Sequence, residues 1–218
     1  MSARSDRKGS VNMNTKGLMK DPLNLVIIGV GGQGNVVISQ LISDVLVREG
    51  YLVTFAQSYS SAQRGGSVVN YVRISKETEC SPLIPAGHAD VIVALEPAEA
   101  IRMLGQFGNR SVTTIVNPRP IQLMEMAGGE AEYPDLDRLM ATIKRLSART
   151  LAIKATEEAQ RLGNAIVANV IIVGALVGSG VLPLDRESIE PVLRERFPRA
   201  VELNMIALNR GMELAAGQ

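Results

Sequence analysis

An α/β fold of Rossmann-like type, doubly wound around a mostly parallel sheet and closed by a C-terminal helical layer, is what this sequence predicts. Three observations carry the prediction. The apolar run Leu25-Val26-Ile27-Ile28 stops at Gly29-Val30-Gly31-Gly32-Gln33-Gly34, and a helical pattern starts at Asn35. Strand-like apolar runs then alternate with amphipathic helical segments as far as Ala155. Beyond that point only helical patterns remain, which adds a helical layer to an α/β sheet.

Composition agrees. Hydrophobic residues make up 46% of the 218 but aromatics only 3%, with no Trp, so the core is built from Val, Ile, Leu, Ala and Met. That palette suits a parallel sheet covered by helices, and the length suits one sizeable α/β domain, taken as 23–218. Residues 1–22 carry Arg and Lys without an apolar stretch, so they read as a disordered leader rather than a signal peptide.

Each element has a local reason. Residues 35–49 place Val36, Val37, Leu41, Ile42, Val45 and Leu46 at near-helical spacing, and Gly50 is a natural helix stop. Strand two is 51–56, followed by a loop of small polar residues from Gln57 to Ser67 and an alternating strand, 68–74. Ser81-Pro82, Pro85 and Gly87 turn the chain into the strand Val91–Leu95. Glu96-Pro97-Ala98-Glu99 is an acidic, proline-marked helix start, and that helix runs to Phe107. The strand Val112–Val116 leaves the sheet through the stiff exit Asn117-Pro118-Arg119-Pro120. Tyr133-Pro134-Asp135 opens a helix over 136–147, and Leu151–Ala155 is a short strand. Helices follow at Thr156–Leu162, Asn164–Leu176, Arg186–Phe197 and Ala200–Leu214, the last three separated by Pro183 and Pro198. The apolar run from Ala165 is interrupted by Asn169, Gly174, Gly178 and Ser179, so it reads as a buried helix rather than a membrane span.

The glycine cluster has the spacing G-x-G-x-x-G. On the ligand reading, Gly29 supplies the tight turn, Gly31 bares the helix N-terminus to a phosphate, and Gly34 lets the first helical turn pack on the strand, with Gly32 and Gln33 completing a candidate cofactor-binding turn. Close packing alone asks for the same glycines, so both readings stand. Dinucleotide sites add an Asp or Glu at the end of the second strand to hold the ribose. Here Tyr51-Leu52-Val53-Thr54-Phe55-Ala56 runs into Gln57-Ser58 without a carboxylate, which disfavours ordinary NAD binding.

The second informative stretch is Gln63-Arg64-Gly65-Gly66-Ser67, one cation among glycines and hydroxyls. Arg64 with Ser58, Ser61 and Ser67 suits a phosphate or carboxylate, or equally a partner's backbone at an interface. Asn169, inside an apolar helix, has to find a partner if buried, either a subunit contact or a ligand. A nucleophile elbow, a zinc-protease helix and a phosphate-loop lysine are all missing from the sequence. His88 before a strand reads as a capping or surface residue, and Glu96 as a helix N-terminal carboxylate. With 23 basic and 22 acidic residues, nothing calls for nucleic acid or a membrane surface. One cysteine, Cys80, cannot form an internal disulfide or hold an iron–sulfur cluster. It suits a reducing cytoplasm.

The glycine turn and Ser61-Ala62-Gln63-Arg64-Gly65-Gly66-Ser67-Val68 together resemble the gamma-type small subunit of 2-oxoacid:ferredoxin oxidoreductases. Ala89–Pro97 and Gly163-Asn164 followed by Asn169 are similar to that family too. Tyr133-Pro134-Asp135 and the stretch from Pro191 to Gly211 are most similar to its indolepyruvate branch, in the small beta subunit. The resemblance spans about residues 24–215. It implies oxidative decarboxylation of a 2-oxoacid with coenzyme A as co-substrate, giving an acyl-CoA, carbon dioxide and reduced ferredoxin. It places thiamine diphosphate, Mg and 4Fe-4S clusters in a larger partner subunit, with no cofactor bound tightly here and no catalytic residue carried over. The residues Ser58, Ser61, Gln63, Arg64, Gly65, Gly66, Ser67 and Asn169 become candidates for substrate, coenzyme A or interface contacts. An aryl pyruvate and an aryl glyoxylate are both open as substrate. The alternative is a stand-alone Rossmann-type nucleotide-binding protein, a dehydrogenase or redox sensor.

Overall fold

The computed structural model describes residues 17–59, 66–121 and 133–218. Its strands are β1 (Leu23–Val30), β2 (Leu52–Tyr59), β3 (Ser67–Ser75), β4 (Val91–Ala94), β5 (Thr113–Val116) and β6 (Arg149–Ala152). Its helices are α1 (Asn35–Arg48), α2 (Pro97–Phe107), α3 (Leu136–Leu146), α4 (Ala155–Arg161), α5 (Ala168–Gly178), α6 (Arg186–Arg196) and α7 (Val201–Ala216). A single 3₁₀ turn, Ala165–Val167, precedes α5.

The six strands lie in the order β2-β3-β1-β4-β5-β6. Pairing is parallel between β1 and β4, β4 and β5, and β5 and β6. It is antiparallel where β3 meets β1 and β2. The sheet is therefore mixed, and mostly parallel as expected. What the sequence did not predict is the seat of β2. A Rossmann sheet sets the second strand beside the first; here β3 takes that place and β2 becomes an edge.

β1 shows why the sheet is covered on both sides. Leu23, Leu25 and Ile27 point into one core, packed by α1, α5, α6 and α7, while Val26 and Ile28 point into the other, packed by α2 and α3. Alternate side chains leave a strand on opposite faces, so a strand buried on both reads as one continuous apolar run. The second core includes an edge-to-face contact between Tyr71 and Phe107, with ring centroids 5.5 Å apart.

Several boundaries shift. β2 runs on through Gln57 and Ser58 to Tyr59, because these residues pair with Asn70, Val69 and Val68 of β3. The residues ascribed to a disordered leader also change character at their end. Leu18 packs on the first core. Lys20 pairs with Asp90 at 3.0 Å, and the Lys76 N–H donates to Asp21 at 2.9 Å. Residues 1–16 lie outside the described residues.

In the helical layer, α5 is buried along nearly its whole length. It crosses α7 at contact distance because glycines face backbone. A Cβ on Gly211 would stand 2.0 Å from the Ile171 carbonyl oxygen, and one on Gly174 would stand 2.1 Å from that of Leu208. α4 is tied to α7 by charge: the buried Glu158 accepts from Arg210 at 2.8 Å and also from Arg161. The hydrogen bond from Arg210 is the main reason the Glu158 carboxyl titrates below the ordinary glutamate range, and the positive charges of Arg210 and Arg161 add to it.

Two measurements check this packing. Gly211→Ala is expected to lower the unfolding free energy by at least about 1–3 kcal/mol, the usual cost of overpacking; a denaturant midpoint equal to the parent's would mean the helices cross less closely. Glu158, with its folded pKa depressed, contributes stability that is fully present above the ordinary 4.5 of a glutamate. That contribution is lost as pH falls through the lower folded value. Glu158→Gln should therefore flatten the acid limb of a stability-against-pH curve, and an unchanged slope there would remove the ion pair from the account.

Candidate functional site

The parallel strands point their carboxyl ends to one edge of the sheet, where α1 leaves β1 toward one face and α2 leaves β4 toward the other. Between them the sheet opens, as at the switch points that bind ligands in open α/β sheets. The glycine turn sits there, but its residues do other work than the sequence suggested.

Gly29, next to last in β1, has no left-handed dihedral; in this turn the positive φ values belong to Gly32 at 92° and Gly34 at 81°. A side chain at 29 is excluded for a different reason, since its Cβ would come within 2.9 Å of Gln33 Oε1 and 3.2 Å of Leu95 Cβ. Gly31 does not present a bare amide, because its N–H donates to the Gly66 carbonyl at 2.9 Å. Gly34 makes room not for the strand but for Asn169: a Cβ there would lie 2.0 Å from Asn169 Nδ2. Gln33 closes the gap at the edge. Its Oε1 accepts from the Val30 N–H at 2.6 Å, and its Nε2 donates to the Leu95 carbonyl at 3.0 Å, so one side chain joins the ends of β1 and β4.

The Gly31–Gly66 bond brings the two sequence motifs together. Ser67, the next residue, donates to buried Glu99 at 2.7 Å, and Arg102 clamps the other carboxylate oxygen of Glu99 at 2.7 and 3.0 Å. Glu96 caps α2, its side chain accepting from the Glu99 N–H at 2.9 Å, and also accepts from the Tyr133 hydroxyl. Burial, then the bond to Glu96, pushes the Tyr133 phenol well above its usual range. The first turn of α2 thus fixes both Ser67 and Tyr133. Ser58 is exposed at the end of β2, on the far side of Ser67 from the turn. Ser61, Gln63, Arg64 and Gly65 lie outside the described residues.

Beside the glycine turn is a cleft of about 350 Å³. Gly32, Gln33 and Leu95 form one side, Asn117 and Arg119 the floor leaving β5, and Thr156, Ile166, Asn169 and Ile172 the helical side. Asn117 is buried; its amide donates to Thr156 Oγ1 at 2.9 Å and its N–H to the Ala94 carbonyl at 2.9 Å. Asn169 lies here, half-buried, with no hydrogen bond among the described residues. Arg119 and Thr156 were not picked out from the sequence as site residues. The signal was present in Pro118-Arg119-Pro120, a cation held between two prolines directly after a strand. His88 and Cys80 stand away from this edge. The His88 ring contacts the Ala86 carbonyl at 2.7 Å on the surface, and Cys80 contacts that of Thr78.

Comparison with known proteins adds the following. The family model described as pyruvate ferredoxin/flavodoxin oxidoreductase matches residues 24–214. The indolepyruvate oxidoreductase subunit IorB of Archaeoglobus fulgidus is 39% identical over 194 residues, covering 88% of this chain and 95% of that protein. Its counterpart in Thermococcus kodakarensis is 34% identical over the same shares. Among solved structures, the gamma subunit of a keto/oxoacid ferredoxin oxidoreductase from Geobacter sulfurreducens has the same fold, with a TM-score of 0.65 at 23% identity. That match covers 90% of this chain and 99% of the other.

The contact between Gly34 and Asn169 can be tested as a pair. Gly34→Ala should destabilise by about 2 kcal/mol or more, from the left-handed dihedral and the clash together. Adding Asn169→Ala should recover the steric part and leave about 1–2 kcal/mol of backbone cost. Strict additivity of the two changes, read by thermal or denaturant unfolding, would mean the side chains do not meet.

Proposed function

The chain belongs to the pyruvate ferredoxin/flavodoxin oxidoreductase family, and we propose that it serves as the small subunit of a 2-oxoacid:ferredoxin oxidoreductase acting on an aryl 2-oxoacid such as indolepyruvate. The observation that carries this reading is the near end-to-end match to relatives named as indolepyruvate oxidoreductase subunits. The reaction is oxidative decarboxylation: the 2-oxoacid loses carbon dioxide, its acyl group passes to the thiol of coenzyme A, and the electrons pass to ferredoxin.

Thiamine diphosphate with its metal, and iron–sulfur clusters, supply that chemistry in the family. The residues of this chain fit neither group. It has one cysteine where a cluster needs several thiolates. Among the described residues, no three His, Cys, Asp or Glu side chains come close enough to hold a metal. We place both cofactors in a larger partner subunit and give this chain a binding and shaping role. Arg64, on the connection that enters β3 at the Gly31–Gly66 bond, is the residue proposed to meet coenzyme A or the partner. The working compartment is proposed to be the cytoplasm, and among the described residues no helix is long and apolar enough to cross a membrane.

A stand-alone nucleotide-binding role is less well supported. With β3 seated beside β1, the strand that would carry the ribose carboxylate is at the sheet's far edge, and its sequence holds no Asp or Glu.

Co-expression with the larger subunit is expected to give coenzyme A-dependent, indolepyruvate-driven reduction of ferredoxin, and the chain alone none. Turnover by the purified chain alone would overturn the assignment. In the assembled enzyme Arg64→Ala should raise KM for coenzyme A about tenfold, the value of one charge-assisted bond; an unchanged KM takes the coenzyme away from that loop.

A further inference from the structure

We propose that the open edge of β2 pairs with the same edge of a second copy of this chain, about a two-fold axis through Thr54, so that the two sheets run on as one. The inference concerns a part of the fold away from the cleft and does not rest on the function proposed above. β2 has β3 on one side and, among the described residues, no strand on the other. Its outward N–H and C=O groups make no backbone hydrogen bond among those residues.

The two ends of the sheet are built differently. At the opposite edge β6 is only four residues long and begins with a charged residue, Arg149. Gln218 pairs with its last residue as a strand would: Oε1 accepts from the Ala152 N–H at 2.9 Å, and Nε2 donates to the Ala152 carbonyl at 3.1 Å. Short length, charge and a covering group are the usual defences of a sheet edge. β2 has none of them. It is eight residues long, carries neither a charge nor a proline, and is rich in Val, Thr, Phe and Tyr, which favour strands. An edge left so open is a template for another strand.

The placement of the apolar groups identifies that strand as a second copy. Val53 and Phe55 leave β2 on the face covered by α1, and with Val47 of α1 they line a groove of about 360 Å³. Val47 is 58% exposed and Phe55 39%. In antiparallel pairing centred on Thr54, Val53 of each copy lies opposite Phe55 of the other. Each Phe55 ring then reaches the groove beside the other copy's Val53 and Val47, while Leu52, exposed on the opposite face, meets Ala56. Groove and ring sit two residues apart on one strand, so the contact is self-complementary, as a two-fold interface requires. The charges permit it. β2 has none, and Asp44 and Arg48 at the groove's rim are already matched, by Arg196 at 3.3 Å and Glu195 at 2.6 Å. A rim balanced in sign meets its own image without net repulsion, whereas a strongly acidic or basic partner finds no counter-charge there.

Light scattering on the full chain is the first test. Twice the chain mass is expected at about 100 μM, above the micromolar Kd that interfaces of modest quality reach. Phe55→Lys should weaken the dimer tenfold or more and shift the mass to that of one chain, with the parent's circular dichroism showing that it folds. The register is tested by cross-linking in a Cys80→Ser background. Thr54→Cys puts two thiols on residues directly opposite, about 4.5–5.5 Å apart between Cα atoms, within the span of a disulfide, so mild oxidation should give a covalent dimer. Leu52→Cys, whose thiols stand four residues apart along the paired strands, should give none. A single-chain mass for the parent, equal cross-linking at both positions, or a dimer that Phe55→Lys leaves unchanged would overturn the proposal. Protection of the β2 amides from hydrogen exchange only when the larger subunit is added would overturn it too, and would assign the edge to that subunit. The function proposed above is decided separately, by turnover of the assembled enzyme.

Discussion

The carboxyl edge of this sheet depends on one glutamine. Where α1 and α2 leave for opposite faces, β1 and β4 part, and the Val30 N–H and the Leu95 carbonyl would lose a partner at the opening. Gln33 satisfies both with a single amide. Because the bond from Val30 closes a ring of only a few residues, it also sets the shape of the glycine turn. A buried unmade pair of this kind costs about 1–3 kcal/mol for each group, enough to loosen the edge on which the cleft and the β3 connection are both built.

From that bridge the constraints pass outward through close approaches of backbone. Gly31 binds Gly66 and so docks the entry to β3 onto the turn. Ser67 is then held by Glu99, and Tyr133 by Glu96, from the first turn of α2. On the other face, the glycine crossing of α5 and α7 fixes how far α5 advances toward the sheet, and with it the depth of Asn169. The position of one amide in the cleft is thus set by a helix crossing that begins at Ile171, half a turn further along α5. Close backbone approaches of this kind hold the sheet edge in one shape, which is what a binding edge needs.

The charge arrangement follows the same division. The buried acids Glu96, Glu99 and Glu158 are each bound by donors on the structural side of the fold. The cleft is lined by none. This segregation leaves one positive edge free while the interior remains paired. It differs from a dinucleotide fold at one point above all, the neighbour of β1, where an antiparallel strand replaces the strand that would bring a ribose carboxylate.

Much of this was legible in the residues. Strand, turn and helix at 25–49, the cap at Glu96 and the alternation of elements follow from local periodicity and capping chemistry, which act over a few neighbours. That one cysteine cannot hold an iron–sulfur cluster is a matter of counting. Tertiary structure alone decided the rest. Gly29, Gly31 and Gly34 look alike in sequence, but distant segments decide what each meets: Leu95 for the first, Asn169 for the third, while the second is bound by Gly66. The same holds for β2 at the sheet edge and for Arg119 and Asn169 lining one cleft. Sequence fixes what each segment prefers within a few residues of itself; which distant segments meet is set by how the whole chain buries its apolar faces, and a site made of four such meetings appears only once that burial is complete.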